Sequence, residues 1–189
     1  YMGMTAYDSE PDEWLGYHRR RDDFLQSDDR FMWNIDTFNN QQTGYFFEMN
    51  PSGLMGDAVR GANFNNRQWD GIWTARVRRS EIGWTAEIEI PFRTLNFDPQ
   101  APAWGINFQR TVRRKNEESL WTGHARNQGL RRMTNAGLLL GIRDVSPARI
   151  FRHDVQAAEW EPSWRQRLGL SDRVRLPAAC GIAAGLAGL

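Results

Sequence analysis

The sequence predicts an all-β protein, an antiparallel β-sandwich of jelly-roll-like type, and three observations carry this prediction. Several segments alternate apolar and polar residues with a period of two, which is the pattern of a half-buried strand. Polar turns separate these segments at short and regular intervals, and no helical period is evident before residue 150. The chain of 189 residues is 40% hydrophobic and 12% aromatic, which is enough for one domain with a core and is unlike a disordered chain.

Seven segments carry the strand pattern, and the first four are expected to form two hairpins. The segments are Arg30–Asp36, Gly44–Asn50, Ile72–Arg78, Trp84–Ile90, Trp104–Val112, Glu118–Gly123 and Gly137–Ile142. Pro91 ends the fourth segment, because proline has no N–H to donate to a neighbouring strand.

The tryptophans divide into two predicted classes. Trp33, Trp84 and Trp104 stand at alternating apolar positions, so we predict that they lie in the core. Four others stand near strand ends or turns and are candidates for exposed stacking surfaces. These are Trp14, Trp69, Trp73 and Trp121.

Two regions differ in organisation. We expect a β-sandwich domain over residues 1–142 and a poorly structured or non-native tail over 143–189, where the alternation is lost and Arg, Ala, Gly and Leu dominate. An apparent strand starts at residue 1, without an initiator Met or a signal peptide. The expectation is therefore an N-terminally truncated fragment, with a signal and further strands in the missing part.

Composition and motifs argue against several function classes. The 24 basic and 23 acidic residues give a net charge of +1, so bulk charge does not point to nucleic acid or an anionic membrane surface. The single cysteine, Cys180, excludes an internal disulfide and a cysteine-based zinc site. The three histidines lack paired metal-ligand spacing, and nucleophile and phosphate-loop motifs do not occur. We therefore expect no catalytic activity in this fragment.

Three runs of sequence match, in order, the outline of a known module. They are SDDRFMWNIDTFNNQQTGYFFEMN at 27–50, WDGIWTARVRRSEIGWTAEIEIPFRTLNF at 69–97 and AWGINFQRTVRRKNEESLWT at 103–122. Together they resemble family 9 carbohydrate-binding modules, which are DOMON-like sandwiches. The resemblance is to the variant at the N-terminus of large bacterial proteins that continue into a TonB-receptor-like outer-membrane β-barrel. Each motif is weak alone, and the combination is specific.

The resemblance implies a module that binds polysaccharide or oligosaccharide in a larger protein of polysaccharide binding or catabolism. It implies export by a bacterium to the periplasm, the outer membrane or the exterior. Two alternatives stay open: an interaction sandwich that docks an outer-membrane barrel and binds no sugar, and the non-catalytic part of a glycoside hydrolase. Modules of this kind clamp a sugar between two tryptophans, whereas this chain has Gln26 at the first position and no Trp over 127–135 at the second.

Five residues are candidate ligand-binding residues. Asn34, Glu48, Asn107 and Gln109 point away from the predicted core and form one polar row if their strands are neighbours, and Trp121 is a candidate wall. Sugar sites combine aromatic faces, which stack on pyranose C–H groups, with polar groups that bond the hydroxyls. The competing interpretation is that Asn34 and Glu48 are simply solvated and that Trp121 belongs to the core.

Acidic clusters raise the question of a metal ion. They occur at 8–12, 22–23 and 28–29, and oxygen-rich turns of this kind can hold Ca²⁺. A structural Ca²⁺ is therefore a candidate cofactor. None of the clusters matches an EF-hand loop, and solvated turn acids are the favoured explanation for each.

Overall fold

A computed structural model of the chain describes residues 1–122, 129–131, 133–142 and 182–186. Two β-sheets pack face to face as a sandwich, which confirms the predicted fold class. The strands, in chain order, are β1 (Met2–Tyr7), β2 (Arg30–Asp36), β3 (Thr43–Met49), β4 (Met55–Gly61), β5 (Asn65–Asn66), β6 (Thr74–Ser80), β7 (Gly83–Glu89), β8 (Ala103–Val112), β9 (Glu117–Leu120), β10 (Gly137–Leu140) and β11 (Ile182–Leu186). The helical elements within the described ranges are short 3₁₀ turns at Leu25–Ser27, Phe92–Thr94, Gly129–Arg131 and Met133–Asn135. Among these residues, no helix is long and apolar enough to span a bilayer.

The smaller sheet has the strand order β11-β1-β7-β6. The β6–β7 hairpin is the second predicted hairpin, and Gly83 opposes Ser80 where the strands turn. β1 runs antiparallel to β7 and parallel to β11, so that Met2 lies opposite both Ile88 and Ile182. Strand β11 lies within the segment expected to be irregular, and the sequence pattern did not predict it. The remainder of 143–189 lies outside the described residues.

The larger sheet has the order β10-β8-β2-β3-β4-β5, and β9 pairs with the second half of β8. The β2–β3 hairpin is the first predicted hairpin. Because β2 lies between β3 and β8, Met32 opposes both Glu48 and Gln109, and Asn34 opposes Asn107. This register brings the polar positions of three strands onto one face.

The core lies between the two sheets and is rich in aromatic rings. Trp33 and Phe47 are fully buried and stack with ring centroids 5.4 Å apart, and Trp73 meets Trp33 edge-on at 5.6 Å. Trp84 is 2% exposed and Trp104 is 3% exposed, so the three predicted core tryptophans are confirmed. Aromatic pairs of this geometry add stabilisation beyond the area they bury.

Two tryptophans predicted as exposed stacking surfaces are not exposed in this way. Trp73 is 3% exposed, because it packs in the core and its Nε1 donates to the Asp57 carboxylate at 2.7 Å. Trp69 is partly buried, with its ring centroid 4.9 Å from that of Tyr45. Position near a strand end therefore did not decide exposure, since the loops fold back over the sandwich.

Strands β4 and β5 were not predicted from the sequence. In β4 the middle of the three core-facing positions is Asp57, opposite Phe47 and between Met55 and Val59 on that face. A buried carboxylate in place of an aliphatic side chain breaks the apolar alternation that marks a strand. β5 is two residues long, which is too short for a periodic pattern.

Candidate functional site

A cleft of about 480 Å³ lies on the outer face of the larger sheet. Its floor is formed by Met32 of β2 and Phe46 of β3, which pack on this outer face against Ala58 and Leu130. Met32 is 5% exposed and Phe46 is fully buried, because the turn at 129–131 covers this face of the sheet. The outer face is therefore a second, small apolar layer with a concave opening.

Polar side chains surround this floor. They come from β2, β3, β4, β5 and β8 and from the segment after β5, and they are Arg30, Glu48, Arg60, Asn65, Arg67 and Gln109. The 3₁₀ turn at Leu25–Ser27 forms another part of the rim. Leu25 is 1% exposed and anchors this turn, whereas the adjacent Phe24 lines the cleft and is 71% exposed. The cleft thus combines an exposed aromatic ring with several hydrogen-bonding groups.

Glu48 is the buried acid of the cleft and lies between two guanidinium groups. It is 2% exposed, accepts a hydrogen bond from Arg67 Nη2 at 2.8 Å, and lies 3.7 Å from Arg30 Nη1. Burial lowers the pKa of Arg30 below its ordinary value, and the Glu48 carboxylate partly offsets this effect. Arg30 Nε is buried and has no hydrogen-bond partner among the described residues. These charges are held in a partly desolvated setting, where electrostatic interactions are stronger than in water.

Two further arginine contacts shape the cleft. The Arg60 guanidinium lies over the Phe46 ring at 3.1 Å from its centroid, and Arg60 Nε donates to Asn65 Oδ1 at 2.9 Å. The Arg67 guanidinium lies 5.5 Å from the centroid of the Phe24 ring. Cation–π contacts of this kind hold a planar cation beside an aromatic face.

The structure brings the four predicted polar residues onto one face, but only two of them line the cleft. Glu48 and Gln109 do so. Asn34 and Asn107 lie further along the same row and are covered: Asn34 Nδ2 donates to the Leu130 carbonyl oxygen, and Asn107 Oδ1 accepts from the Thr122 N–H at 3.3 Å.

The interpretation that Asn34 and Glu48 are simply solvated is wrong, since they are 1% and 2% exposed. Asn34 and Asn107 are each 1% exposed, and Gln109 is 6% exposed. Asn34 and Asn107 lie beneath segments outside their own strands, and their hydrogen bonds with Leu130 and Thr122 hold those segments against the sheet.

Trp121 lies apart from the cleft. Its ring meets Phe108 edge-on, with centroids 5.6 Å apart, and Phe108 belongs to the core side of β8. Trp121 is 49% exposed and is not among the residues that line the cleft. It therefore belongs neither to the polar row nor to the buried core.

The cleft residues that were not predicted from the sequence include Phe24, Arg30, Arg60, Asn65 and Arg67. Arg30 shares the outward face of β2 with Met32, so strict alternation was a signal for it. Arg60 lies on the missed strand β4, and Phe24 and Arg67 lie in loops. No period marks loop residues, so the sequence held no comparable signal for them.

Two of the clustered acids, Asp8 and Asp28, are engaged in internal contacts rather than solvated. Asp8 pairs with Arg114 Nη2 at 2.5 Å, and Asp28, fully buried, accepts from Asn50 Nδ2 at 2.8 Å and lies 2.9 Å from His18 Nδ1. Burial acts to raise the pKa of Asp28, but hydrogen bonds from His18, Asn50 and Ser27 outweigh it, so the pKa lies below its ordinary value. In the described part of the chain, acidic and histidine side chains do not gather into a metal-binding group.

Comparisons with known proteins support the fold and do not identify a family. No protein-family model matches the chain, and no curated protein matches it. The chain is similar to a solved structure from Bacteroides uniformis ATCC 8492, described as a "putative carbohydrate-binding protein". The TM-score is 0.52 at 13% sequence identity, and the match covers 64% of each chain. At this identity the likeness shows a shared fold.

Proposed function

We propose that the chain is a glycan-binding module and that the sugar occupies the cleft on the outer face of the larger sheet. The observation that carries this proposal is the combination of the exposed Phe24 ring with Glu48, Gln109 and arginine side chains around one opening of about 480 Å³. Binding pockets for small ligands have volumes of about 300–1,000 Å³, so the opening suits the end of a short glycan.

The chemistry of this lining suits sugar recognition. A pyranose has an apolar C–H face and a rim of hydroxyl groups. The Phe24 ring offers a stacking surface for the C–H face. The Glu48 carboxylate accepts hydrogen bonds from hydroxyl groups, and the Gln109 amide both donates and accepts hydrogen bonds. Contacts between Glu48, Arg30 and Arg67 fix these groups before a ligand arrives, which reduces the entropy lost on binding.

Two other findings support the proposal. The sequence resembles family 9 carbohydrate-binding modules, and the fold is shared with a Bacteroides uniformis protein described as carbohydrate-binding. The arrangement differs from a clamp of two tryptophans, because Gln26 and Phe24 take the rim position before the acidic pair.

The test is glycan binding by the purified chain and by two matched variants. An array of plant and bacterial oligosaccharides identifies a ligand, and calorimetric titration then measures its affinity. We expect Phe24→Ala to weaken binding by about tenfold, since the loss of a stacked aromatic ring costs on the order of 1 kcal/mol. Tyr17→Ala is the control, because Tyr17 is also highly exposed, at 68%, and does not line the cleft. Equal losses in both variants would place the sugar elsewhere.

We further propose that the module belongs to a larger bacterial protein, exported to the periplasm, the outer membrane or the exterior, that takes part in polysaccharide use. The support for this setting is the sequence resemblance. Fractionation of cells that express the full-length gene tests it: recovery of the protein in the cytoplasm would contradict the proposal.

A second candidate function is docking to a neighbouring domain, such as an outer-membrane barrel. The observation that favours it is the apolar edge of the larger sheet, where Leu138 and Leu140 of β10 are 56% and 69% exposed. Exposed apolar residues at a strand edge invite association. Substitution of both by Lys should then abolish binding to the separately expressed remainder of the protein while glycan binding persists.

A further inference from the structure

The charged residues that line the cleft are unbalanced in sign. Among the described residues that line the opening, Arg30, Arg60 and Arg67 are the cations and Glu48 is the acid. Glu118 lies 4.0 Å from Arg30 Nη2 but is 50% exposed and outside this lining. The whole chain has a net charge of +1, so this local excess of positive charge is a property of the site and not of the protein.

The proposal rests on the glycan-binding function above and concerns the class of sugar. We propose that the cleft selects an anionic glycan, in which a carboxylate or sulfate group lies among the guanidinium groups of Arg30, Arg60 and Arg67 while the sugar ring stacks on Phe24.

The geometry provides more donors than Glu48 uses. A guanidinium carries five N–H donors in a fixed fork that matches carboxylate and sulfate oxygens. Glu48 accepts from Arg67 at 2.8 Å through one nitrogen, and its distance of 3.7 Å from Arg30 is longer than a hydrogen bond. The fork of Arg30 is therefore not saturated by Glu48, and its Nε has no hydrogen-bond partner among the described residues.

Desolvation favours the same ligand. Arg30 is partly buried, with 18% of its side chain exposed, and burial lowers its pKa. A buried cation is costly unless an anion pairs with it. Glu48 offsets part of this cost. A neutral sugar leaves the remainder in place, whereas an anionic one offsets it with charge-assisted hydrogen bonds.

Carboxylate and sulfate groups share this chemistry, so the experiment uses a pair of probes for each. Oligogalacturonate is compared with its methyl ester, which keeps the backbone and removes the charge, and short dextran sulfate is compared with unmodified dextran. Affinities are measured by calorimetric titration of the full chain at low salt. We expect at least one charged member to bind about tenfold or more tightly than its neutral partner, because a bond to a charged group contributes more than a neutral one.

Arginine variants test whether the anionic group binds in the cleft. Arg67→Gln and Arg60→Gln should each reduce the preference for the charged member by about tenfold. Arg78→Gln is the control, since Arg78 is exposed on β6 of the other sheet and lies outside the cleft. It should change the affinity by less than about twofold, and near-UV circular dichroism confirms that each variant is folded.

The outcomes separate this inference from the proposed function. If neutral members bind as well as charged ones, or Arg78→Gln weakens binding as much as Arg67→Gln, the anionic selectivity is refuted and glycan binding stands. If neither charged nor neutral glycans bind, in these pairs or on the array, both proposals fail.

Discussion

The buried carboxylate of Asp57 gives a sharp test of how the loops are fixed to the sandwich. Its side chain is fully buried in β4 and accepts three hydrogen bonds: from Arg21 Nη2 at 2.6 Å, from Trp73 Nε1 at 2.7 Å and from the Gly71 N–H at 3.2 Å. Burial raises its pKa, and these donors oppose that effect. We predict that Asp57→Ala destabilises the protein by about 3–5 kcal/mol.

The magnitude follows from the groups that lose their partner. Trp73 Nε1 and the Gly71 N–H are left buried and unpaired, at about 1–3 kcal/mol each. Arg21 adds less than about 1 kcal/mol, because a third of its side chain is exposed and it keeps an ion pair with Asp70 at 2.7 Å. The total is a large fraction of the 5–15 kcal/mol that stabilises a typical domain.

The assay is urea denaturation followed by tryptophan fluorescence, with Asp70→Ala as the matched control. Asp70 pairs with the same arginine but is 75% exposed, so its loss should cost about 0–1 kcal/mol. Trp73→Phe, which deletes one donor and replaces the indole with a smaller aromatic ring, should fall between the two. If the unfolding free energies of Asp57→Ala and Asp70→Ala differ by less than about 1 kcal/mol, the buried hydrogen bonds of Asp57 do not fix the loops to the sandwich.

Three further predictions concern a glycine, a buried acid and a tryptophan. Gly83→Ala should lower stability by more than about 1 kcal/mol in the same assay, since Gly83 has φ of +132° and an added Cβ would lie 2.0 Å from the Ala6 carbonyl oxygen. The pKa of Asp28 is lower in the folded protein than its value of about 3.9 in the unfolded chain. The charged form of Asp28 therefore stabilises the fold above the unfolded-state pKa, and this contribution is lost as the pH falls through the folded-state pKa. The stability difference between wild type and Asp28→Asn, measured by urea titration from pH 7 to 2.5, should therefore shrink below about pH 4; a constant difference would contradict this. Trp121→Ala should leave the glycan affinity within about twofold of wild type, whereas Phe24→Ala lowers it. A large loss of affinity for Trp121→Ala would indicate that the sugar binds near β9 instead.

The sequence predicted those strands in which bulky side chains alternate without interruption. The β2–β3 and β6–β7 hairpins and β8 follow this pattern, because each buries one face against the opposite sheet. The pattern failed for β4, where Asp57 occupies a core position and its ion pair with Arg21 takes the place of apolar packing.

Residues of the candidate site that lie on predicted strands could be predicted from the sequence, whereas residues in loops could not. Alternation placed Glu48 and Gln109 on the outward face, and neighbouring strands brought them together. It could not reveal that Leu130 covers Asn34, or that Phe24 and Arg67 meet at the rim, since these contacts join segments far apart in the chain. The expectation of solvated polar residues failed for the same reason.

The position of β1 in its sheet has a consequence for how the protein is made. Both neighbours of β1, β7 and β11, come after β2–β6 in the chain, so during synthesis its backbone groups have no strand to pair with until much later. Non-local pairing of this kind slows folding, and an unpaired strand invites association between nascent chains. The β2–β4 part of the larger sheet has short connections and is therefore able to form before β1 meets its partners, whereas β8, which carries Gln109 of the cleft, follows β7 in the chain. A nascent chain that stalls before β7 would thus hold β2–β4 with an incomplete cleft and with their core-facing side chains exposed to aggregation.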